Sequence, residues 1–140
     1  MNALQQFLTR NTVENLTEEV VLGGRLKDFK FKIKALTGDQ YNEFQALCIE
    51  NPNSPKKRRF NTRKFNELLV VNCVIEPNFK DPEWLKELGV PDATSAVYKT
   101  LLAGEITDLA ERILRLSGFD RDIEEEIEEY ILDGKEVPLS

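Results

Sequence analysis

A strict alternation of apolar and lysine side chains runs through residues 29–35, FKFKIKA. This period of two predicts a β-strand that packs one face and leaves a positively charged face in water. The glycine pair Gly23 and Gly24 favours a turn before it, so we predict a β-hairpin over about residues 16–36. The packed face should comprise Phe29, Phe31, Ile33 and Ala35, and the hydrated face Lys30, Lys32 and Lys34.

In the rest of the chain, apolar residues recur with the period of a helix. These helices must cover the apolar face of the hairpin. A two-stranded hairpin alone is only marginally stable in water. We predict five to six short helices over about residues 37–132, followed by a short tail over 133–140. The predicted fold class is therefore α+β, mostly α-helical. A chain of 140 residues fits a single domain that spans residues 1–140.

The first two predicted helices come after the hairpin. Thr37 is a plausible N-cap for the first, whose apolar face should hold Tyr41, Phe44, Leu47 and Cys48. The second covers residues 60–76, with Asn61 or Thr62 as its cap. Its run LLVVNCVI is apolar all round, which also fits a buried strand, but its length favours a helix. Pro77 should end this segment because it disfavours helical dihedrals in the residue before it.

Residues 98–118, YKTLLAGEITDLAERILRLSG, combine two helical patterns with a glycine between them. We predict that Gly104 adopts a positive φ and ends the first helix, whose buried edge includes Leu101 and Leu102. Glu105 should then lie in the first turn of the next helix, where its charge suits the helix dipole. The buried stripe of this second helix is predicted to be Ile106, Leu109, Ala110, Ile113 and Leu116.

The composition argues against an enzyme. The chain has no histidine, which excludes histidine-based acid–base catalysis, and its two cysteines, Cys48 and Cys73, form no CxxC pair. Both cysteines are predicted to be reduced core residues. No phosphate-binding, dinucleotide-binding or nucleophile-elbow motif occurs, so we expect no catalytic residue, metal or cofactor. We also expect no membrane span and no secretion signal, and therefore a cytosolic location.

Two blocks of opposite charge point to contacts with proteins. Residues 25–64 contain eleven basic and four acidic residues, whereas the acidic segment, residues 120–136, contains nine acidic and two basic residues. The sequence of the acidic segment predicts a helix, and its like-charged neighbours four positions apart require docking, either within its own chain or onto a neighbouring subunit. A basic block that meets the acidic helix of the next subunit would build a head-to-tail oligomer. The predicted partner-binding residues are Ile123, Ile127, Tyr130 and Ile131 of the acidic segment and the basic segment, Lys56, Lys57, Arg58 and Arg59.

Nucleic acid is a weaker alternative partner for residues 56–64. These residues and the lysine face of the strand are basic, but no aromatic side chain interleaves the exposed lysines and the whole chain has a net charge of −6. A solvated loop and a solvated strand face explain the same residues without a ligand.

Three stretches resemble the tail assembly chaperones of tailed bacteriophages, closest to the group from Bacillus-type prophages. They are FKIKALTGDQYNEFQALC, FNELLVVNCVIEPNFKDPEWLKELGV and LLAGEITDLAERILRLSGFD. The elements that correspond to family motifs are residues 34–37, 77–81, 89–90 and 101–119, and the similarity covers about residues 29–120.

The resemblance implies a non-catalytic chaperone. Such a protein would bind the tape measure protein, keep it soluble and help to recruit tail tube subunits in the cytoplasm of the host bacterium, and it would be absent from the mature virion. The alternative is another phage or prophage structural or completion protein that stays in the virion. Residues 1–22 carry no recognisable motif.

Overall fold

The computed structural model describes residues 1–119. Within them, six α-helices accompany a three-stranded sheet and a two-stranded one, so the α+β, mostly helical prediction is confirmed. In chain order the elements are α1 (Ala3–Arg10), β1 (Thr17–Val20), β2 (Phe31–Lys34), α2 (Gly38–Leu47), β3 (Ile49–Glu50), β4 (Arg59–Phe60), α3 (Thr62–Cys73), β5 (Val74–Glu76), α4 (Pro82–Leu88), α5 (Ala93–Thr100) and α6 (Ala103–Leu116).

The predicted hairpin exists, but it is part of a larger sheet. β1 pairs antiparallel with β2, from Thr17 opposite Lys34 to Val20 opposite Phe31. On its other side β2 pairs antiparallel with β5, which makes β2 the central strand of the order β1-β2-β5. Residues 74–76 were predicted to end a helix, and this prediction is wrong. The helix α3 ends at Cys73 because the chain can then extend and hydrogen-bond to β2, a pairing that periodicity cannot indicate.

Some side chains in and before β2 differ in burial from the prediction. Phe31 and Ile33 are buried, as predicted, but Phe29 precedes the strand and is exposed. Lys32 and Lys34 are half-buried rather than fully hydrated. In the register Lys32 lies opposite Glu19 of β1 and Glu76 of β5, and Glu19 forms an ion pair of 3.5 Å with Lys30. The lysine face therefore has carboxylates beside its lysines.

Side-chain caps begin several helices, and those of α2 and α3 lie where the sequence predicts them. Thr37 caps α2 in a full capping box, in which its hydroxyl accepts from the Gln40 N–H at 3.1 Å and Gln40 Oε1 accepts from the Thr37 N–H at 3.0 Å. Asn61 caps α3, Asp81 caps α4 and Asp92 caps α5. On α2, Tyr41 is half-buried and Phe44 and Cys48 are buried. The predicted fourth member, Leu47, is the last residue of the helix and is exposed.

The corner between α5 and α6 is formed by two leucines, and the prediction for Gly104 is wrong. Leu101 and Leu102 have extended dihedrals, whereas Gly104 is the second residue of α6 and has no positive φ. Leu102 is also exposed. The helix begins there because Glu105 Oε1 accepts from the Leu102 N–H at 2.7 Å, which confirms the predicted first-turn position of Glu105.

The core lies between the three-stranded sheet and helices α3, α5 and α6. The buried stripe of α6 is confirmed for Ile106, Leu109, Ala110 and Ile113, while Leu116 is half-buried. Cys48 and Cys73 are buried free thiols, as predicted. Two links fix α6 to the hairpin region: Arg25 forms an ion pair of 2.6 Å with Glu105, and Ser117 Oγ accepts from the Leu36 N–H at 2.9 Å.

Candidate protein-binding site

The helix α1 exposes its apolar face. Its side chains Leu4, Phe7 and Leu8 are 65%, 60% and 59% exposed, and the helix has no buried residue. They recur at i, i+3 and i+4 and therefore share one face. Asn2 caps the helix in a full capping box with Gln5. An isolated helix of this length is marginal in water, so this face is suited to contact with another apolar surface.

The apolar face continues beyond the helix into a cleft. This cleft has a volume of about 330 Å³ and is lined by Phe7, Arg10, Asn11, Thr12, Val13, Asn15 and Leu16. Val13 and Leu16 are also exposed. We refer to residues 1–16 as the N-terminal arm. Exposed apolar surface that is continuous in this way is typical of protein–protein contact sites.

A second surface lies at the short β3–β4 ladder, and we call it the basic groove. It has a volume of about 360 Å³ and is lined by Gln45, Ile49, Arg58, Arg59 and Phe60. Phe60 is 42% exposed. The groove thus combines two guanidinium groups with apolar side chains, which suits a partner that is both acidic and apolar.

Hydrogen bonds to Glu50 hold the basic groove in shape. Glu50 accepts from Arg59 Nε at 2.5 Å and from Asn61 Nδ2 at 2.9 Å. These bonds, with the Arg59 bond as the larger cause, lower the pKa of the Glu50 carboxyl below its usual value. The loop between β3 and β4 is closed by Asn51 Nδ2, which donates to the Lys57 carbonyl at 3.1 Å.

An aromatic row leads from the basic groove to the last described residue. Phe60 and Phe65 have ring centroids 5.4 Å apart, Phe65 and Tyr41 5.9 Å, and Tyr41 and Phe119 4.7 Å. Phe65 is buried and the others are partly or largely accessible. These separations are typical of favourable aromatic pairs. The row therefore connects the basic groove with the point where the chain continues towards the acidic segment.

The structure places one of the two predicted binding blocks. Lys56, Lys57, Arg58 and Arg59 are all exposed, and the last two line the basic groove. Ile123, Ile127, Tyr130 and Ile131 lie outside the described residues. The sequence pattern of Leu4, Phe7 and Leu8 predicts a short helix over residues 2–10, which the structure contains as α1, but sequence reasoning did not identify this N-terminal arm as a binding surface. It also missed the part of Ile49 and Phe60 in the groove, which only the β3–β4 pairing brings together.

The described residues offer little for a reaction. Within 1–119, no three histidine, cysteine or carboxylate groups converge on a possible metal position. Burial raises the pKa of the Cys73 thiol to about 11, so this cysteine is protonated at neutral pH. None of the helices in this part of the chain has the length and apolar character that crossing a bilayer requires.

A comparison with protein families identifies the class of protein to which this chain belongs. The model of the Phage XkdN-like tail assembly chaperone protein matches residues 4–131. The chain belongs to this family of phage tail assembly chaperones. The match begins inside the N-terminal arm and extends to the predicted binding residues of the acidic segment. It confirms the resemblance found in the sequence.

A solved structure supports the fold. The crystal structure of the protein YqbN shares 20% sequence identity with this chain at a TM-score of 0.58, and the similarity covers 86% of this chain and 99% of that one. At this identity the likeness concerns the fold alone. The chain matches none of the curated proteins with which it was compared.

Family membership indicates when the protein acts and which class of partner it has. A tail assembly chaperone acts while phage tails are built in the host cell, and its partners are proteins of the tail. The family is a chaperone family and not a known class of enzyme. Partners for the exposed apolar arm and the basic groove are therefore to be sought among the proteins of the tail.

Proposed function

We propose that this chaperone binds the tape measure protein, keeps it soluble and helps to recruit tail tube subunits. It acts in the host cytoplasm, works without catalysis and is absent from the mature virion. The family supports a role in tail assembly, and the exposed surfaces support binding to an elongated apolar partner. The observation that carries the proposal is the apolar face of α1, which no other part of the described chain covers.

The geometry of the arm suits a helical partner. Helix recognition through apolar contacts uses anchors at i, i+3, i+4 and i+7, and Leu4, Phe7 and Leu8 supply the first three. Such contacts require apolar stripes rather than particular side chains. A chaperone of a long helical protein can therefore use one arm at many positions along its client.

The basic groove is the second binding surface in the proposal. As the charge blocks predict, the groove of one subunit would receive the acidic segment of the next when several subunits assemble along the client. Lys56, Lys57, Arg58 and Arg59 would supply the positive partners, and Ile123, Ile127, Tyr130 and Ile131 the apolar ones. Contacts rich in charge weaken as ionic strength rises, so they suit a coat that tube subunits must later displace.

Co-expression with a fragment of the tape measure protein tests the proposal. The wild-type chaperone should shift the fragment from the insoluble to the soluble fraction. Phe7→Asp should abolish this effect, because it places a charge in the apolar contact. Gln6→Asp is the matched control, since it adds the same charge to the opposite side of α1. An unchanged fragment solubility with wild-type protein would exclude the chaperone role.

Mass spectrometry of purified particles tests the predicted absence from the virion. The tape measure and tube proteins should be detected and this protein should not. A stoichiometric amount in the particles would identify it instead as a structural or completion protein.

A further inference from the structure

The apolar stripe of α1 stops where the helix ends. The stripe comprises Leu4, Phe7 and Leu8, and its next position, i+7 from Leu4, is the polar residue Asn11. The Asn11 N–H and Asn11 Nδ2 both donate to the Phe7 carbonyl at 2.9 Å and close the last turn. A helical partner that lies along the stripe must therefore make its fourth apolar contact beyond α1, in the adjoining cleft, which Phe7 also lines.

One wall of this cleft is a short turn that is attached to the sheet. Residues Val13–Asn15 form a 3₁₀ turn, in which the Asn15 N–H donates to the Thr12 carbonyl and Asn15 Nδ2 to Thr12 Oγ1, both at 3.1 Å. The Leu16 N–H donates to the Val13 carbonyl at 3.0 Å, and the Leu16 carbonyl accepts from the Ala35 N–H. Val13 and Leu16 are 41% and 46% exposed, so this wall presents apolar surface at a defined place.

Arg10 brings a positive charge to the same cleft. Among the described residues that line the cleft, Arg10 alone is charged. It lies in the last turn of α1, is exposed and forms no ion pair with any of residues 1–119. A guanidinium pairs most favourably with a carboxylate, which can accept two of its N–H groups at once. The cleft thus suits a partner that brings an apolar side chain and a carboxylate together.

We infer that the N-terminal arm binds preferentially those segments of the tape measure protein in which a carboxylate lies one helical turn from a large apolar side chain. The apolar side chain enters the cleft between Phe7 and Leu16, and the carboxylate pairs with Arg10. Side chains three or four positions apart are neighbours on a helix, so one segment can make both contacts. The inference rests on the proposed function, because it specifies the chemistry of the client that the arm binds.

Two synthetic helical peptides test this preference with the full-length chain. Both carry the same leucine stripe at i, i+3, i+4 and i+7, and the positions that flank the stripe one turn from a leucine are glutamate in one peptide and lysine in the other. Fluorescence anisotropy at low salt measures the two dissociation constants. The glutamate peptide should bind about two- to fivefold more tightly, which is the effect of one exposed ion pair.

Substitutions of Arg10 show whether this residue recognises the carboxylate. Arg10→Gln should remove the preference, and Arg10→Glu should invert it. Lys57→Glu is the matched control, because it makes the same charge change in the basic segment and should leave the preference as in wild type. A preference that depends on residue 57 and not on residue 10 would place the contact in the basic groove and overturn the inference.

A substitution in the wall of the cleft separates the apolar contact from the charge. Val13→Ser should weaken the binding of both peptides by the same factor and leave their ratio unchanged. Equal binding of both peptides by the wild-type protein would overturn the inference, while the proposed binding of an apolar helix by the arm would stand. If neither peptide binds, the arm is not the client-binding surface, and the inference and that part of the proposed function both fail.

Discussion

Helices α1 and α6 have the same amphipathic pattern, but the apolar stripe of α6 is buried and that of α1 is exposed. In α6 the stripe of Ile106, Leu109 and Ile113 is 7% exposed or less, whereas in α1 the stripe of Leu4, Phe7 and Leu8 is about 60% exposed. An amphipathic pattern therefore establishes that a helix will contact an apolar surface. It does not establish whether that surface belongs to the same chain.

The connections to the rest of the fold explain the difference. α6 is fixed at its start by the Arg25–Glu105 ion pair and near its end by the bond between Ser117 and Leu36, and these links hold its stripe against α3 and the sheet. α1 precedes the whole core. The chain joins the sheet only at Leu16, whose carbonyl accepts from the Ala35 N–H at 3.0 Å. The arm is therefore placed beside the core rather than within it.

The largest contrast should come from removing one leucine from each stripe. Leu109→Ala leaves a cavity in the core and should lower the free energy of unfolding by about 2–5 kcal/mol. Leu8→Ala should change it by less than about 0.5 kcal/mol, because the side chain is exposed. Urea unfolding followed by circular dichroism measures both. A loss for Leu8→Ala as large as for Leu109→Ala would show that the arm belongs to the core.

The helix caps provide a smaller version of the same comparison. Thr37→Ala removes the cap of α2, which is packed in the core, and should cost about 1 kcal/mol of unfolding free energy. Asn2→Ala removes the equivalent cap of α1 and should leave the unfolding midpoint nearly unchanged, because α1 can fray without the core. Equal losses from the two substitutions would contradict an independent arm.

The smallest effect concerns the acid side of the pH profile. The hydrogen bond and charge of Arg25 lower the pKa of the Glu105 carboxyl below its usual value of 4.5. A carboxyl with a lowered folded-state pKa stabilises the fold above its unfolded pKa, and this contribution disappears as the pH falls through the folded-state pKa. Glu105→Gln should therefore lower stability near neutral pH and converge with wild type under acidic conditions.

Thermal unfolding between pH 7 and pH 3 measures this difference. Glu111→Gln is the control, since Glu111 is exposed on the same helix. A constant gap between wild type and Glu105→Gln at all pH values would mean that the charge of Glu105 has no part in the link to Arg25.

The sequence predicts elements whose cause is local. The alternation around Ile33, the caps at Thr37 and Asn61 and the stripe of α6 all follow from neighbours within a few residues. The strand β5 does not, because Val74 extends only to pair with Ile33 across the sheet. Gly104 was misassigned although the cause is local, because the bond from the Leu102 N–H to the Glu105 carboxylate caps the helix start and no special glycine conformation is needed.

For the binding surfaces, charge was predictable and shape was not. The basic segment at Arg58 and Arg59 is visible as a run of like charges. The groove that these residues line requires Phe60 to pair with Ile49 through β3 and β4, which is a contact between distant residues. Whether Phe7 is buried likewise depends on the whole fold, so the arm could be recognised only once the core was known.

Hydrogen exchange with and without a tape measure fragment tests the central claim most directly. In the free protein the amides of α1 should exchange rapidly, because the helix is short and exposed, while those of α6 should be strongly protected. On binding, exchange in α1 should slow markedly and α6 should be unchanged. A complex in which the exchange of α1 stays as fast as in the free protein would contradict the assignment of the N-terminal arm as the client-binding surface.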